Sequence, residues 1–251
     1  MKTFLLALAA SAMAAFSSYA QTIPTDSAAA TALKPKAKSI ATELNVNPFN
    51  GTISLNNSIN QLKFRYFTAA NLAVRLGFNG QRESSSIENS NPYGTNSYRN
   101  EEDRSSTTFG LNLGVEKHFS GTRRLSPYVG ADLTFEKRST EHEITQGQTI
   151  TTITGAWREA TYYSNGYSYT YNQRGYSRYG LNVLTGFDFY MAQNLFFGYE
   201  MHFGFNQTSY DDIDVKQSGS NSTPTNNGNY KNSNFSFGPK LMNGVRIGYV
   251  F

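Results

Sequence analysis

From residue 40 onward the chain repeatedly places apolar side chains at every second position, and nearly all charge in these stretches falls on the positions between. Ile40, Thr42, Leu44 and Val46 oppose Ala41, Glu43 and Asn45, and Leu62, Phe64 and Tyr66 oppose Gln61, Lys63 and Arg65. Leu72, Val74, Leu76 and Phe78 oppose Ala73, Arg75, Gly77 and Asn79, and Phe109, Leu111, Leu113 and Val115 oppose Gly110, Asn112, Gly114 and Glu116. A period of two is the signature of a β-strand with two unlike faces. Val129 to Glu136, Tyr179 to Phe189, Leu195 to Phe205 and a last stretch from Phe235 to Phe251 bring the number of such runs to eight.

Short turns at Thr68 to Asn71, Ser120 to Leu125 and Ala192 to Asn194 join some runs. Longer polar segments, about 79–106, 138–175 and 207–234, join others and read as loops without periodicity. In a closed antiparallel barrel, alternating long and short connections put all long loops at one end and all short turns at the other. An even number of strands brings both chain ends to the short-turn end, and pairing of the last strand with the first leaves no unpaired edge.

The charged parity carries Glu43, Lys63, Arg65, Arg75, Glu116, Asp132, Glu136, Asp188, Glu200, Lys240 and Arg246, while the opposite parity is almost uncharged. Periodicity alone does not say which face is inside. A soluble barrel around an apolar ligand would turn the charges outward, and a membrane barrel would turn them inward. Arg or Lys on a lipid face costs about 2–4 kcal/mol at the bilayer midplane, so separation of charge by parity suits a membrane.

The N-terminus favours the second assignment. Lys2, an apolar and small run from Phe4 to Phe16, and Ser18-Tyr19-Ala20 have the form of a secretory signal peptide cleaved after Ala20. That run is shorter than the roughly 20 residues a membrane helix needs. Residues 21–37, with Pro24, Pro35 and several alanines, read as a flexible leader, and residues 38–251 as the barrel domain. Glycines recur on the charged parity, where they leave room for long Arg and Glu neighbours in the filled interior of an eight-stranded barrel.

Composition agrees. The mean hydropathy is -0.50 although the chain holds 17 Tyr and 18 Phe, a combination expected when apolar residues are confined to one strand face. A net charge of +4 without a basic run interleaved with aromatics argues against nucleic acid as a partner. With no cysteine, the exported chain is not a disulfide-stapled domain.

Several constellations bear on chemistry. The interior charges read as a paired network filling the barrel, with a gated polar pore as the competing reading. His118 and His202 share the charged parity with Glu116 and Glu200; a metal site or proton relay is the sharp reading, and a hydrogen-bonded network the better supported one. His142 with Glu141, Glu143 and nearby serines could form a hydrolytic group, yet no serine is singled out, so neither enzyme nor cofactor is expected. Asp211-Asp212-Ile213-Asp214 lacks the glycine turn and distal Glu of a calcium loop. Trp157, Tyr162, Tyr163, Tyr167, Tyr169 and Tyr171 form an aromatic-rich segment that could bind an extracellular surface or ligand.

Ser126-Pro127-Tyr128-Val129-Gly130-Ala131-Asp132-Leu133 and Val245-Arg246-Ile247-Gly248-Tyr249-Val250-Phe251 carry a resemblance to the small eight-stranded outer-membrane barrels of Gram-negative bacteria, the OmpA/OmpX type. It extends over about residues 38–251 and is one of pattern more than identity. It implies a monomeric, transmembrane, up-and-down barrel in the cell outer membrane, in contact with lipid and lipopolysaccharide. By the same resemblance Val245, Ile247, Tyr249 and Phe251 match the signal read by the outer-membrane assembly machinery. No peptidoglycan-binding domain is expected after the barrel, so wall anchoring is not carried over. The expected role is structural or adhesive at the cell surface, with a narrow solute pore as the alternative and a lipid A-modifying enzyme as a third reading.

Overall fold

A computed structural model describes residues 33–46, 59–93, 98–164, 166–219, 232–241 and 245–251. The proposed signal peptide and the first part of the leader lie outside these residues. Thirteen strands are described: β1 (Ile40–Val46), β2 (Ile59–Ala69), β3 (Leu72–Asn91), β4 (Tyr98–His118), β5 (Leu125–Gln146), β6 (Thr149–Thr154), β7 (Trp157–Tyr163), β8 (Gly166–Asn172), β9 (Tyr176–Ala192), β10 (Leu195–Tyr210), β11 (Asp214–Ser218), β12 (Ser233–Leu241) and β13 (Val245–Val250).

Eight of them close a ring by antiparallel hydrogen bonding. The order β1-β2-β3-β4-β5-β9-β10-β13 returns to β1, where Ala41 faces Val250 and Val46 faces Val245. β12 lies along the outer part of β10, from Met201↔Leu241 to Ser209↔Ser233, so β12 and β13 together line one edge of β10. Both stretches belong to the run read from sequence over Phe235 to Phe251, and both pair with β10.

The alternation resolves in one direction. Glu43, Lys63, Arg65, Arg75, Glu116, Asp132, Asp188, Glu200 and Arg246 are buried, and Phe64, Leu76, Leu113, Val183, Phe203 and Ile247 are exposed. Strand geometry makes this an either-or outcome, because consecutive side chains point to opposite faces.

The interior is layered. Nearest the short turns, Ala41, Phe67, Ala73, Tyr190, Phe196 and Val250 form an apolar cluster against which Leu33 packs. The segment before β1 is tied to this end as well: the Lys38 amide donates to the Phe67 carbonyl at 2.7 Å and Lys34 Nζ to the Ser120 carbonyl at 2.6 Å. Gly248 is required beside this cluster, since a Cβ there would meet Phe196 Cζ at 2.2 Å and the Thr42 carbonyl at 2.7 Å. The charges come next, and beyond them a neutral polar layer that includes Thr134, Asn182 and Asn206.

The long connections depart from the sequence reading. Residues 79–91 and 98–106 continue β3 and β4 as one hairpin, paired from Leu72↔Lys117 to Asn91↔Tyr98. Residues 138–175 hold the end of β5 and all of β6, β7 and β8, and residues 207–234 hold β11, which pairs with β6. The extension of β3 shows no alternation because exposed Ser, Asn and Glu occupy both of its faces, and the ladder of backbone hydrogen bonds does not require an apolar side.

Candidate functional site

The charged layer of the ring is assembled from β1, β2, β3, β4, β5, β9, β10 and β13, each contributing one or two side chains at the same parity. Arg65 reaches Glu116 Oε1 at 3.0 Å, Asp188 Oδ2 at 2.6 Å and Glu43 Oε2 at 3.2 Å. Arg75 holds Glu200 and also lies 3.2 Å from Glu116 Oε2 and 3.3 Å from Asp132 Oδ1. Arg246 bridges Glu43 at 3.1 Å, Asp188 at 2.9 Å and Glu200 at 3.4 Å, and Lys63 completes the set 3.0 Å from Glu200. Buried ions are tolerated only when paired in this way, because each loses several kcal/mol of hydration on the order that continuum arguments give.

Aromatic rings carry part of the cationic charge. Arg65 lies 4.7 Å from the Phe196 ring centroid and Arg246 5.2 Å from that of Tyr128, whose hydroxyl donates to Glu200 Oε2 at 2.6 Å. Arg65, Arg246, Tyr128, Glu43, Glu116 and Glu200 are among the largest fully buried side chains of the described residues, so bulky groups fill the section where the charges meet.

His118 sits between Glu116 Oε1 at 3.0 Å and Ser126 Oγ at 2.9 Å, and His202 Nε2 lies 2.7 Å from Glu200 Oε1. Asp132, Glu200 and His202 bring three possible metal ligands within 4.8 Å of one another. Arg75 and Lys63 already supply positive charge to those carboxylates, which makes the trio part of the ion network.

Glu136 stands apart from this layer. It accepts hydrogen bonds from the Tyr176 hydroxyl and from Arg178 Nη1, the latter at 3.0 Å, because it lies four residues beyond Asp132 on β5. The side chain of Lys240 lies outside the described residues. Tyr128, Ser126 and the apolar cluster were not singled out by sequence. Phe67, Tyr190 and Phe196 do carry a signal: each is an aromatic residue at charged parity within a few residues of a short turn.

A second constellation stands at the opposite end, on the β7–β8 hairpin. Register pairs Arg158 with Tyr171, Ala160 with Tyr169 and Tyr162 with Tyr167, which places four tyrosines and one arginine on a single face. Tyr162 and Tyr167 meet edge to face at 5.3 Å, and the Arg158 guanidinium lies 4.8 Å over the Tyr169 ring. Trp157 and Tyr163 belong to the other face, contrary to a reading of all six aromatics as one surface. The Trp157 indole N–H donates to the Ser105 carbonyl at 3.0 Å, so this ring anchors the hairpin to β4.

His142 is the second anchor. The Arg158 amide donates to His142 Nδ1 at 3.0 Å, which leaves the proton on Nε2, 2.8 Å from Glu102 Oε1. Burial lowers the His142 pKa, outweighing the raising influence of Glu102. Burial pushes Glu102 upward, but hydrogen bonding and charge from Arg104 and His142 hold it below its ordinary value. His142 is therefore joined to Glu102, forty residues earlier, and not to Glu141 or Glu143, which fall on the other parity of β5. Two of the three acids of 211–214 are partnered by lysines: Lys137 Nζ reaches both Asp211 oxygens at 2.7 and 2.8 Å, and Lys216 lies 3.1 Å from Asp214.

The family model described as "Putative OmpA-OmpF-like porin family" matches residues 46–232, most of the chain. The chain belongs to this porin family. No curated protein matches it. The span matched to the OmpA-OmpF-like porin family carries Lys63, Arg65, Arg75, Glu116, Asp132, Asp188 and Glu200, and also the β7–β8 hairpin. Glu43, Arg246 and the two strands β12 and β13 lie outside that span.

Proposed function

We propose that this member of the OmpA-OmpF-like porin family is an integral outer-membrane β-barrel of eight strands, exported by its signal peptide, with a plugged polar interior. Its role is structural or adhesive at the cell surface and not enzymatic. The observation that carries this reading is the inverted distribution of side chains: Leu133 is 62% exposed on the outside of the ring while Arg246 and Glu200 are 0% exposed within it. A ring of this kind in water would expose an apolar belt and bury a layer of ions, both costly. In lipid the belt is solvated and the ions are paired across the interior.

The partners that follow are outer-membrane lipid and lipopolysaccharide around the belt, and the assembly machinery acting on Val245, Ile247, Tyr249 and Phe251. The barrel acts as a monomer. Family membership supports the outer-membrane setting. Heat-modifiable migration on SDS gels after membrane fractionation tests the architecture; a chain recovered as a soluble periplasmic protein would overturn it.

A narrow pore is the second reading, favoured by the porin family itself. Planar-bilayer recording separates the two. The plugged interior gives no reproducible open state, and steady single-channel conductance would replace it with the pore.

A further inference from the structure

The β7–β8 face presents exposed aromatic rings and a cation together. Tyr162, Tyr167 and Tyr169 are 70, 66 and 51% exposed, and Tyr171 is half-buried beside Arg158. Along β8 the rings of Tyr167, Tyr169 and Tyr171 follow one another at about 7 Å, twice the rise of a strand. Tyr169 stands opposite the small Ala160, and the Arg158 guanidinium lies over its ring. Among the described residues no carboxylate pairs with the Arg158 side chain, which lies over the Tyr169 ring; Glu159 next to it belongs to the other face.

The size of the face selects the kind of occupant. Two strands of seven residues cover a patch about 24 Å by 10 Å, roughly a third of the 800 Å² per partner that a stable protein interface needs. Exposed aromatic rings suit a flat ligand with polarised C–H groups, because the negative face of each aromatic attracts them. The planar, permanently charged guanidinium suits a carboxylate in a bidentate pair. The hairpin is also anchored above the apolar belt. Trp157 bonds to the Ser105 carbonyl, four residues beyond Phe109 on β4, which lifts its base about 13 Å past that belt residue.

We infer that this face binds an acidic saccharide reaching the cell from outside, with sugar rings stacked on Tyr167, Tyr169 and Tyr171 and a carboxylate paired with Arg158. The inference rests on the surface-exposed orientation proposed above and names the ligand class of that surface.

The test uses the full chain refolded in detergent, titrated calorimetrically with tetragalacturonic acid, its methyl ester, sialyllactose, lactose and purified lipopolysaccharide. The expected result is binding of at least one carboxylated saccharide, with its uncharged counterpart at least tenfold weaker. Tyr167→Ala combined with Tyr169→Ala should weaken the acid at least tenfold, Arg158→Gln should reduce it to the level of the uncharged sugar, and Tyr163→Ala on the opposite face should leave it unchanged. Binding of no carboxylated saccharide, equal loss in Tyr163→Ala, or binding of lipopolysaccharide alone would each overturn the inference. Heat-modifiable migration of every variant reports the barrel independently, so failure of the architecture and failure of the ligand assignment give different results.

Discussion

Arg75 grips Glu200 with two parallel hydrogen bonds, Nη1 to Oε2 and Nη2 to Oε1, both 2.9 Å, inside a layer closed to solvent. Three further cations or donors, Lys63, Arg246 and Tyr128, converge on the same carboxylate. Glu200→Gln leaves two arginines and a lysine without that charge, and should cost about 3–5 kcal/mol, the penalty for breaking one side of a buried pair. The double change Arg75→Met with Glu200→Leu should cost less than the sum of the single changes. Urea titration of gel-shift migration in detergent measures both, and simple additivity would show that the two residues are not coupled.

The His142 anchor makes the hairpin attachment pH-dependent. Its pKa lies below the ordinary value of 6.5 in the folded protein, so between the two values the unfolded or detached state binds more protons. The attachment is therefore fully stable above about 6.5 and weakens as pH falls below it. Glu102, held below its ordinary 4.5, adds stability that is lost only at more acidic pH. Hydrogen exchange of the Arg158 amide, corrected for intrinsic rate, should lose protection between neutral pH and pH 5. His142→Gln, which has no titrating group, should abolish that dependence.

Phe251 is 72% exposed, and its ring meets Tyr249 edge to face at 5.0 Å. The backbone bond from the Phe251 amide to the Ile40 carbonyl, 2.7 Å, does not involve the ring. Phe251→Ala should thus reduce the yield of protein in the outer membrane several-fold while refolding into detergent changes by less than about 1 kcal/mol, as for an exposed side chain. Wild-type yield in membrane fractions would show that the ring is not read during assembly.

Charge placed on the belt should be expensive only where lipid touches it. Leu76→Arg, in the middle of the apolar stretch of β3, should destabilise the barrel by about 2–4 kcal/mol, the cost for Arg near the midplane. Ser86→Arg, at the same parity but in the hairpin extension, should be close to neutral. Refolding into lipid vesicles followed by denaturant titration distinguishes them, and equal tolerance at both positions would argue that Leu76 faces water.

The parity of Glu43, Arg65, Arg75, Glu200 and Arg246 was legible because a strand in a two-sided environment must sort its residues by period two. Which ions pair was not, since Arg246 meets Glu43, Asp188 and Glu200 across three strands separated by up to two hundred residues. The extension of β3 past Asn79 reads as loop in the sequence because water on both sides removes the selection for alternation. His142 illustrates the same limit: its acid is fixed by the β4–β5 register, which sets Arg104 opposite it and Glu102 two residues away, and not by the neighbouring glutamates in the chain.

Arg246 has a bearing on how the ring comes together. Its three acidic partners stand on β1 and β10, which flank β13, and on β9 beyond β10. A slip of β13 by one residue would turn the guanidinium to the outer face of the ring and bring Val245 or Ile247 among the ions. The charge network thereby acts as a proofreader of closure: a misregistered last strand is rejected on electrostatic grounds, even where its backbone hydrogen bonds would be just as good.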